Sequence, residues 1–331
     1  MIEKQDTLRL LGRRWKPLPV CIPSYNRWDR KENKTITGVI EKCDTDIQRN
    51  AYVFVRKEQE AAYRASFPTI NIVTLPEVNG LAGTRQYIQD YAIGTLNSPY
   101  FIDMDDDITS LKFVWHDAAG DHLSKTEETD PSRILRLASV IAIMAFEKHR
   151  CVLGNLHRVR FASNYPASQT AYVVNKGSTP RQVTFVNARE LALRGIRRNL
   201  EFDETGDDVG FVAEICKTGG DLFQIPCLAY SFVDDAVNST IRNDGNRRRL
   251  AAQEYSLLKK YPMRDYLRIT QTFEDGSYRF SDIDYGKYRA IAGRPKANVT
   301  LEDFKKWAEA KTARKKTGQK RGKQWKRQSG S

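Results

Sequence analysis

An apolar run, Tyr100-Phe101-Ile102, passes directly into Asp103-Met104-Asp105-Asp106-Asp107-Ile108, which puts four aspartates within five positions. The apolar residues call for a buried strand. Carboxylates this dense repel one another and raise each other's proton affinity unless a cation lies among them. The chain must therefore build a core whose central strand ends at a charged rim. Hard oxygen ligands at a strand end suit a hard divalent ion, Mn²⁺ or Mg²⁺, whose remaining positions go to water or phosphate oxygens. A solvated acidic turn has the same local sequence, so the flanking segments decide between the two.

Those segments alternate between strand and helix. Leu18-Pro19-Val20-Cys21-Ile22-Pro23 is a short apolar run closed by the polar turn Ser24-Tyr25-Asn26-Arg27, and Tyr52-Val53-Phe54-Val55 is a second buried strand. A helix over 58–66 stops at Pro68; a strand over 70–75, a turn at Asn79-Gly80 and a helix over about 82–93 follow. The alternation predicts an α/β fold, a Rossmann-like, mostly parallel sheet with helices on both faces. Ligands of such sheets lie beyond the carboxyl ends of the strands. The aspartates and the Ser24 to Arg27 turn both follow strand ends and so face one crevice.

Further along, Asp130-Pro131 opens an apolar helix that runs to Lys148, and its stripe of Ile134, Leu137, Ile141 and Met144 belongs to the core. Strand character resumes at 151–153, 170–174 and 182–186. Arg247-Arg248-Arg249 opens a helix that ends near Pro262, and Asp275-Gly276 joins two strands over 269–273 and 278–280 into a hairpin.

The formal charge of +13 over 331 residues is unevenly spread. Residues 311–331 hold nine Lys or Arg and no acid, which leaves +4 for the rest. With no apolar periodicity, that tail is expected to be disordered. It suits non-specific phosphate binding and equally suits mere solubility. The five cysteines are odd in number and form no C-x-x-C pair, so they read as reduced core residues. The four histidines lack zinc-like spacing, and no 18-residue apolar run or leader pattern occurs, so a cytoplasmic protein is expected.

Four local signals occur in order: Pro23-Ser24-Tyr25-Asn26-Arg27, then Gly83-Thr84-Arg85-Gln86 in a helix, then the aspartates, then Asp207-Asp208 heading a helix closed by Gly219-Gly220. Together they resemble the GT-A glycosyltransferases, in particular the inverting family-2-like group, over roughly residues 18–232. Thr84 and Gln86 stand where that group has Ala and Asn, and Asp207 stands where it has Glu. The Ile22 to Arg27 start, the Asp-Asp-Asp-Ile run and the basic tail narrow the likeness to the phage-encoded TET-associated DNA glycosyltransferases.

That resemblance implies a GT-A fold and a metal-dependent, inverting transfer of a sugar, glucose, from a UDP-sugar to 5-hydroxymethylcytosine in double-stranded DNA. Ser24, Tyr25, Asn26 and Arg27 would hold the nucleotide, with Tyr25 and Asn26 on the pyrimidine and Arg27 near ribose or phosphate. Arg85, close to a helix N-terminus, would favour an anion. The family register puts Asp103 toward the ribose and Asp105 on the metal. Spacing also allows Asp105 and Asp107 as the metal pair. Asp208 would be the general base, with Asp207 as its fallback, although acids at a helix start also serve as simple caps. Arg242, Arg247, Arg248 and Arg249 are the candidate DNA contacts.

The implied division is an extension over 1–17, a nucleotide-sugar-binding half over 18–115, an acceptor half over 116–232, a basic region packing on the core over 233–309 and a disordered tail over 310–331. Rival readings are a soluble glycosyltransferase acting on a glycan or protein, and a non-catalytic DNA-binding protein with a degenerate transferase fold. A nucleotidyltransferase is disfavoured, because the Ser24 to Arg27 turn contains no glycine.

Overall fold

Short strands that are apolar on both sides need cover on both sides, and the sheet is built accordingly. The computed structural model describes residues 15–78, 80–116, 123–128, 130–159, 170–175, 179–233, 244–260, 267–272, 278–294 and 296–313. Strands β1 (Val20–Pro23), β2 (Ala51–Val55), β3 (Asn71–Thr74) and β4 (Tyr100–Met104) pair in parallel in the order β3-β2-β1-β4. The parallel expectation holds for this block. Beyond it come β5 (Ile108–His116), β6 (Leu123–Glu128), β7 (Leu153–Arg158), β8 (Thr170–Val174), β9 (Val183–Asn187) and β10 (Leu222–Phe232). The sheet continues from β4 through an antiparallel β9 to β7, after which β10 is again parallel to β7.

Strand β10 carries more of the architecture than its sequence suggested. One of its edges pairs first with β8 at Phe223 and Gln224, then with β5 from Leu228 to Phe232, while the other edge pairs with β7. The two strands expected around 275 pair antiparallel as β11 (Leu267–Thr272) and β12 (Tyr278–Ile283), the Asp275-Gly276 turn itself lying outside the described residues, and β13 (Ala297–Thr300) closes the sheet on β8.

Alternation along the strands assigns the two faces. Val20 and Ile22 of β1, with Ile102 and Met104 of β4, pack beneath helix α2 (Pro131–His149). Cys21 and Phe101 turn the other way, toward α1 (Gly80–Gly94) and α3 (Asp207–Lys217). Helices thus cover both faces, as expected. Asp103, two residues from Phe101, shares the face of α1 and α3. The start of α2 is capped by Asp130, which accepts from the Ser132 amide at 2.9 Å, and its expected core stripe is buried. All five cysteines are buried and unpaired.

Residues 301–313 are helical, with Leu301, Phe304 and Ala308 buried at helical spacing and Trp307 stacked on Trp15 at 6.3 Å between ring centroids. Lys311 pairs with Glu147 of α2. Residues 310–313, assigned to a disordered tail, therefore end an ordered helix, because its apolar stripe finds the core. Residues 314–331 lie outside the described residues. None of the described helices is long and apolar enough to cross a membrane.

A polar row crosses the α1 and α3 face: Asp103, Thr184, Asn155 and Gln224 are in register on β4, β9, β7 and β10. His157 extends it, its Nδ1 3.2 Å from Nε2 of Gln224, and burial lowers its pKa to about 4. The folded state thus binds this proton more weakly than the unfolded chain, whose histidine titrates near about 6.5. The stability contributed is complete above that pH and is lost as the pH falls toward 4. Urea titrations should show the wild type losing of order 3 kcal/mol more than His157→Gln between pH 7 and 4. Equal losses would show that His157 is not held neutral.

Candidate active site

The Ser24 to Arg27 turn is braced from below. The Ser24 hydroxyl donates to Asp106 at 2.6 Å and lies 2.7 Å from the Tyr63 hydroxyl, and Arg27 Nη1 donates to Asp106 at 2.8 Å. Asn26, held at φ 57°, donates its amide to Gln59 at 3.1 Å and accepts from the Gln59 side chain. Tyr25 and Asn26 are exposed; Tyr25, 50% exposed, presents its ring outward with the Arg56 guanidinium carbon 4.6 Å from its centroid, whereas the Asn26 side chain is held by Gln59. Ser24, Asn26 and Arg27 therefore shape the loop, and Arg27 spends its charge on Asp106.

Helix α1 buries a stripe of Ala82, Arg85, Gln86, Gln89 and Ala92, which carries Arg85 inward. Its guanidinium gathers four carboxylates. Nη1 donates to Asp207 at 2.6 Å and to Asp208 at 3.0 Å, Nε lies 3.3 Å from Asp103, and Nη2 donates to Asp105. Arg85 is 5% exposed. Burial alone would lower its pKa, but the four anions more than reverse this and raise it well above the usual value. The cation is permanent and unavailable to a free anion.

Gly206, at φ 71°, turns the chain into α3 and leaves no side-chain cap; a Cβ there would lie 2.6 Å from Cγ of Glu254 on α4 (Asp244–Lys259). Asp207 and Asp208 occupy the first turn without capping it, and their carboxylates go to arginines instead. Burial would raise the proton affinity of Asp207, yet Arg198 and Arg85 hold it below the ordinary carboxylate range. Asp207 is thus a fixed anion. Asp208 has one partner at 3.0 Å and a side chain that is 29% exposed.

The remaining aspartates are suited to a hard cation. Desolvation raises Asp105 well above its ordinary value, with Arg85 opposing it and Asp107 adding to it. Burial, aided by Asp106, pushes Asp107 up to about 6, and its Oδ1 is a buried carboxylate oxygen with no hydrogen-bond partner. A divalent ion would satisfy that oxygen and offset both desolvation costs. Among the described residues no group of three or more His, Cys, Asp or Glu is arranged to hold a metal, so Asp105 and Asp107 would need other oxygens to complete a shell. Asp103 sits apart, 4% exposed and bound to guanidinium.

The structure thus brings Arg85, Asp103, Asp105, Asp207 and Asp208 into one cluster. Of the expected DNA contacts only the Arg249 side chain is among the described residues. Arg242 lies outside the described residues, as do the side chains of Arg247 and Arg248 on α4, and exposed Arg249 pairs with Glu204 at 3.1 Å. Sequence reasoning missed Arg198, Tyr63 and Gln59. Nothing in the chain distinguishes Arg198 from Arg197, which turns outward to Asp90 at 2.8 Å.

Residues 18–185 match the family model described as TET-Associated Glycosyltransferase, just over half of the chain. No curated protein matches the sequence. GalNAc-T7, solved with UDP, GalNAc and Mn²⁺, is similar over 75% of this chain and 48% of its own, at 9% identity and a TM-score of 0.45. Residues 1–349 of TarS from S. aureus are similar over 73% of this chain and 72% of theirs, at 13% identity and a TM-score of 0.40. The complex of that TarS fragment with UDP gives 11% identity and a TM-score of 0.39 over the same shares. The chain spans about half the length of GalNAc-T7.

Proposed function

The chain belongs to the TET-associated glycosyltransferase family and is a glycosyltransferase, and from that premise we propose that it transfers glucose from UDP-glucose to 5-hydroxymethylcytosine in double-stranded DNA. The observation that carries the reading is the Arg85 cluster, which joins the aspartate-bearing end of β4 to the carboxylate pair of α3. A donor diphosphate at the first and an acceptor hydroxyl at the second would then meet at one anomeric carbon.

Asp208 is the base in this scheme. Its carboxylate takes the proton of the acceptor hydroxyl as that oxygen bonds to the anomeric carbon from the face opposite the diphosphate. The bond from that carbon to the diphosphate oxygen breaks, UDP leaves with the electron pair, and the configuration inverts. Asp207 cannot do this work, since two guanidiniums keep it ionised and occupied. Mn²⁺ or Mg²⁺ on Asp105 and Asp107 would neutralise the charge that develops on the diphosphate. Tyr25 offers an exposed ring on which the donor pyrimidine can stack. The cytoplasm, the compartment expected from the sequence, supplies both nucleotide sugar and DNA.

Mass spectrometry of hydroxymethylated duplex oligonucleotides, incubated with a panel of UDP-sugars, tests the reading. A hexose mass added from UDP-glucose, abolished by EDTA and restored by Mn²⁺ or Mg²⁺, is the expected result. Activity that persists in chelator would remove the metal, and addition only to glycan or protein acceptors would remove the DNA.

The tail enters as an electrostatic aid. Residues 314–331 carry eight Lys or Arg and no acid. Deleting them should raise the KM for long hydroxymethylated DNA and flatten its salt dependence, with kcat at saturating DNA and the KM for nucleotide sugar unchanged. An unaltered salt slope would make the tail a spectator.

A further inference from the structure

We propose that Arg198 is a positioning residue that fixes which of the two adjacent aspartates works as the base. It acts through Asp207 and touches neither donor nor acceptor. The inference rests on the reading of Asp208 as general base.

The geometry is a chain of alternating charge. The Arg198 backbone amide donates to the Gln86 side chain of α1 at 2.9 Å, which ties its loop to the helix that carries Arg85. Its guanidinium carbon lies 4.0 Å from the centroid of Phe211, one turn beyond Asp207 on α3. Held by these two contacts, Nη1 donates to both carboxylate oxygens of Asp207, at 2.8 and 3.0 Å, and Nη2 reaches Asp103 at 3.7 Å. Asp207 then passes one oxygen to Nη1 of Arg85, and that same nitrogen reaches Asp208. Phe211, Arg198, Asp207, Arg85 and Asp208 thus form one connected row.

The two aspartates of the row differ in what they can do. The Asp207 side chain is 7% exposed and saturated by two guanidiniums, whereas that of Asp208 is 29% exposed and shares one nitrogen with its neighbour. Without Arg198, both oxygens of Asp207 would turn to Arg85 as their sole cation. Arg85 would be drawn away from Asp208, and the base would lose the contact that aims it. Displacement of a reacting group by about 1 Å costs up to about a hundredfold in rate. Substrate binding, which uses other side chains, would be little changed.

The test compares Arg198→Gln and Arg198→Lys with the wild type, and Arg198→Gln with Asp207→Asn in a double-mutant cycle, on the full chain. The kcat of Arg198→Gln should fall about ten- to a hundredfold, with the KM for nucleotide sugar within about twofold and with partial recovery in Arg198→Lys. In the Asp207→Asn background the same substitution should change kcat less than about twofold, because the carboxylate it acts through is gone. If Arg198→Gln does not fold, Arg198→Lys in the two backgrounds gives the same comparison, since it retains the charge. Equal losses in both backgrounds, or a folded Arg198→Gln with wild-type kcat, would overturn the inference alone. A wild type that neither transfers nor hydrolyses a nucleotide sugar would overturn the proposed function and this inference with it.

Discussion

Arg85→Met will cost the fold about 3–5 kcal/mol and will remove activity with it. The side chain is similar in length and apolar, so the loss is not one of volume. What disappears is the cation shared by Asp103, Asp105, Asp207 and Asp208, two of which are almost wholly buried. Breaking a buried ion pair leaves an uncompensated charge in a poorly solvating interior, and here several carboxylates are left at once. Arg198 still faces Asp207 and, at 3.7 Å, Asp103, but it cannot reach across to the other two. Arg85→Lys should rescue little, since one ammonium cannot span four carboxylates as a planar fork does. Urea unfolding with a fitted midpoint and slope measures the loss. A midpoint equivalent to less than 1 kcal/mol of destabilisation, judged against the usual scale of buried-pair effects, would mean the four carboxylates do not depend on this arginine.

Asp208→Asn will leave the fold almost intact and lower kcat by about a hundredfold or more. The amide keeps the shape and the ability to accept from Arg85, so neither α3 nor the cluster loses a contact. It cannot take a proton. Binding of the nucleotide sugar should survive, because that side of the crevice is built from β1, β4 and the Ser24 to Arg27 turn. Asp207→Asn is expected to show the reverse balance, a larger loss of stability than of turnover, since Asp207 is the buried partner of two guanidiniums. Initial-rate kinetics and thermal melts of both variants separate the outcomes. Should Asp207→Asn be the severe kinetic mutant while Asp208→Asn turns over normally, the base would have to be reassigned.

The α/β class was readable because β1, β2, β3, β4 and α1 are each local patterns, bounded by turns and short enough to be recognised alone. Strands β5 and β10 were not read. Their pairing joins Ile108 to Phe232 across more than a hundred residues, and no local period records a partner at that distance. The site divides in the same way. Asp105, Asp107 and Asp208 stood out by density and order. The partners that decide their roles did not, because Arg85 and Arg198 are ordinary arginines until the sheet delivers carboxylates to them. Arg27 shows the same cause: a turn arginine after a strand reads as an anion binder, and its ion pair with Asp106 at 2.8 Å is a contact the local sequence does not show.

Arg85 meets Asp207 and Asp208 across 122 and 123 positions of sequence. A segment of the growing chain that ends before α3 would already hold Arg85, Asp103, Asp105 and Arg198, but neither Asp207 nor Asp208. Closing a loop of that length is an entropic cost that must be met before the ion pairs return anything. The cluster consequently forms with a long-range docking, that of α3 on α1, and not during growth of the parallel block. Catalytic competence thus waits for that docking. In a refolding experiment, recovery of activity should coincide with amide protection of α3 and lag behind that of β1 and β4.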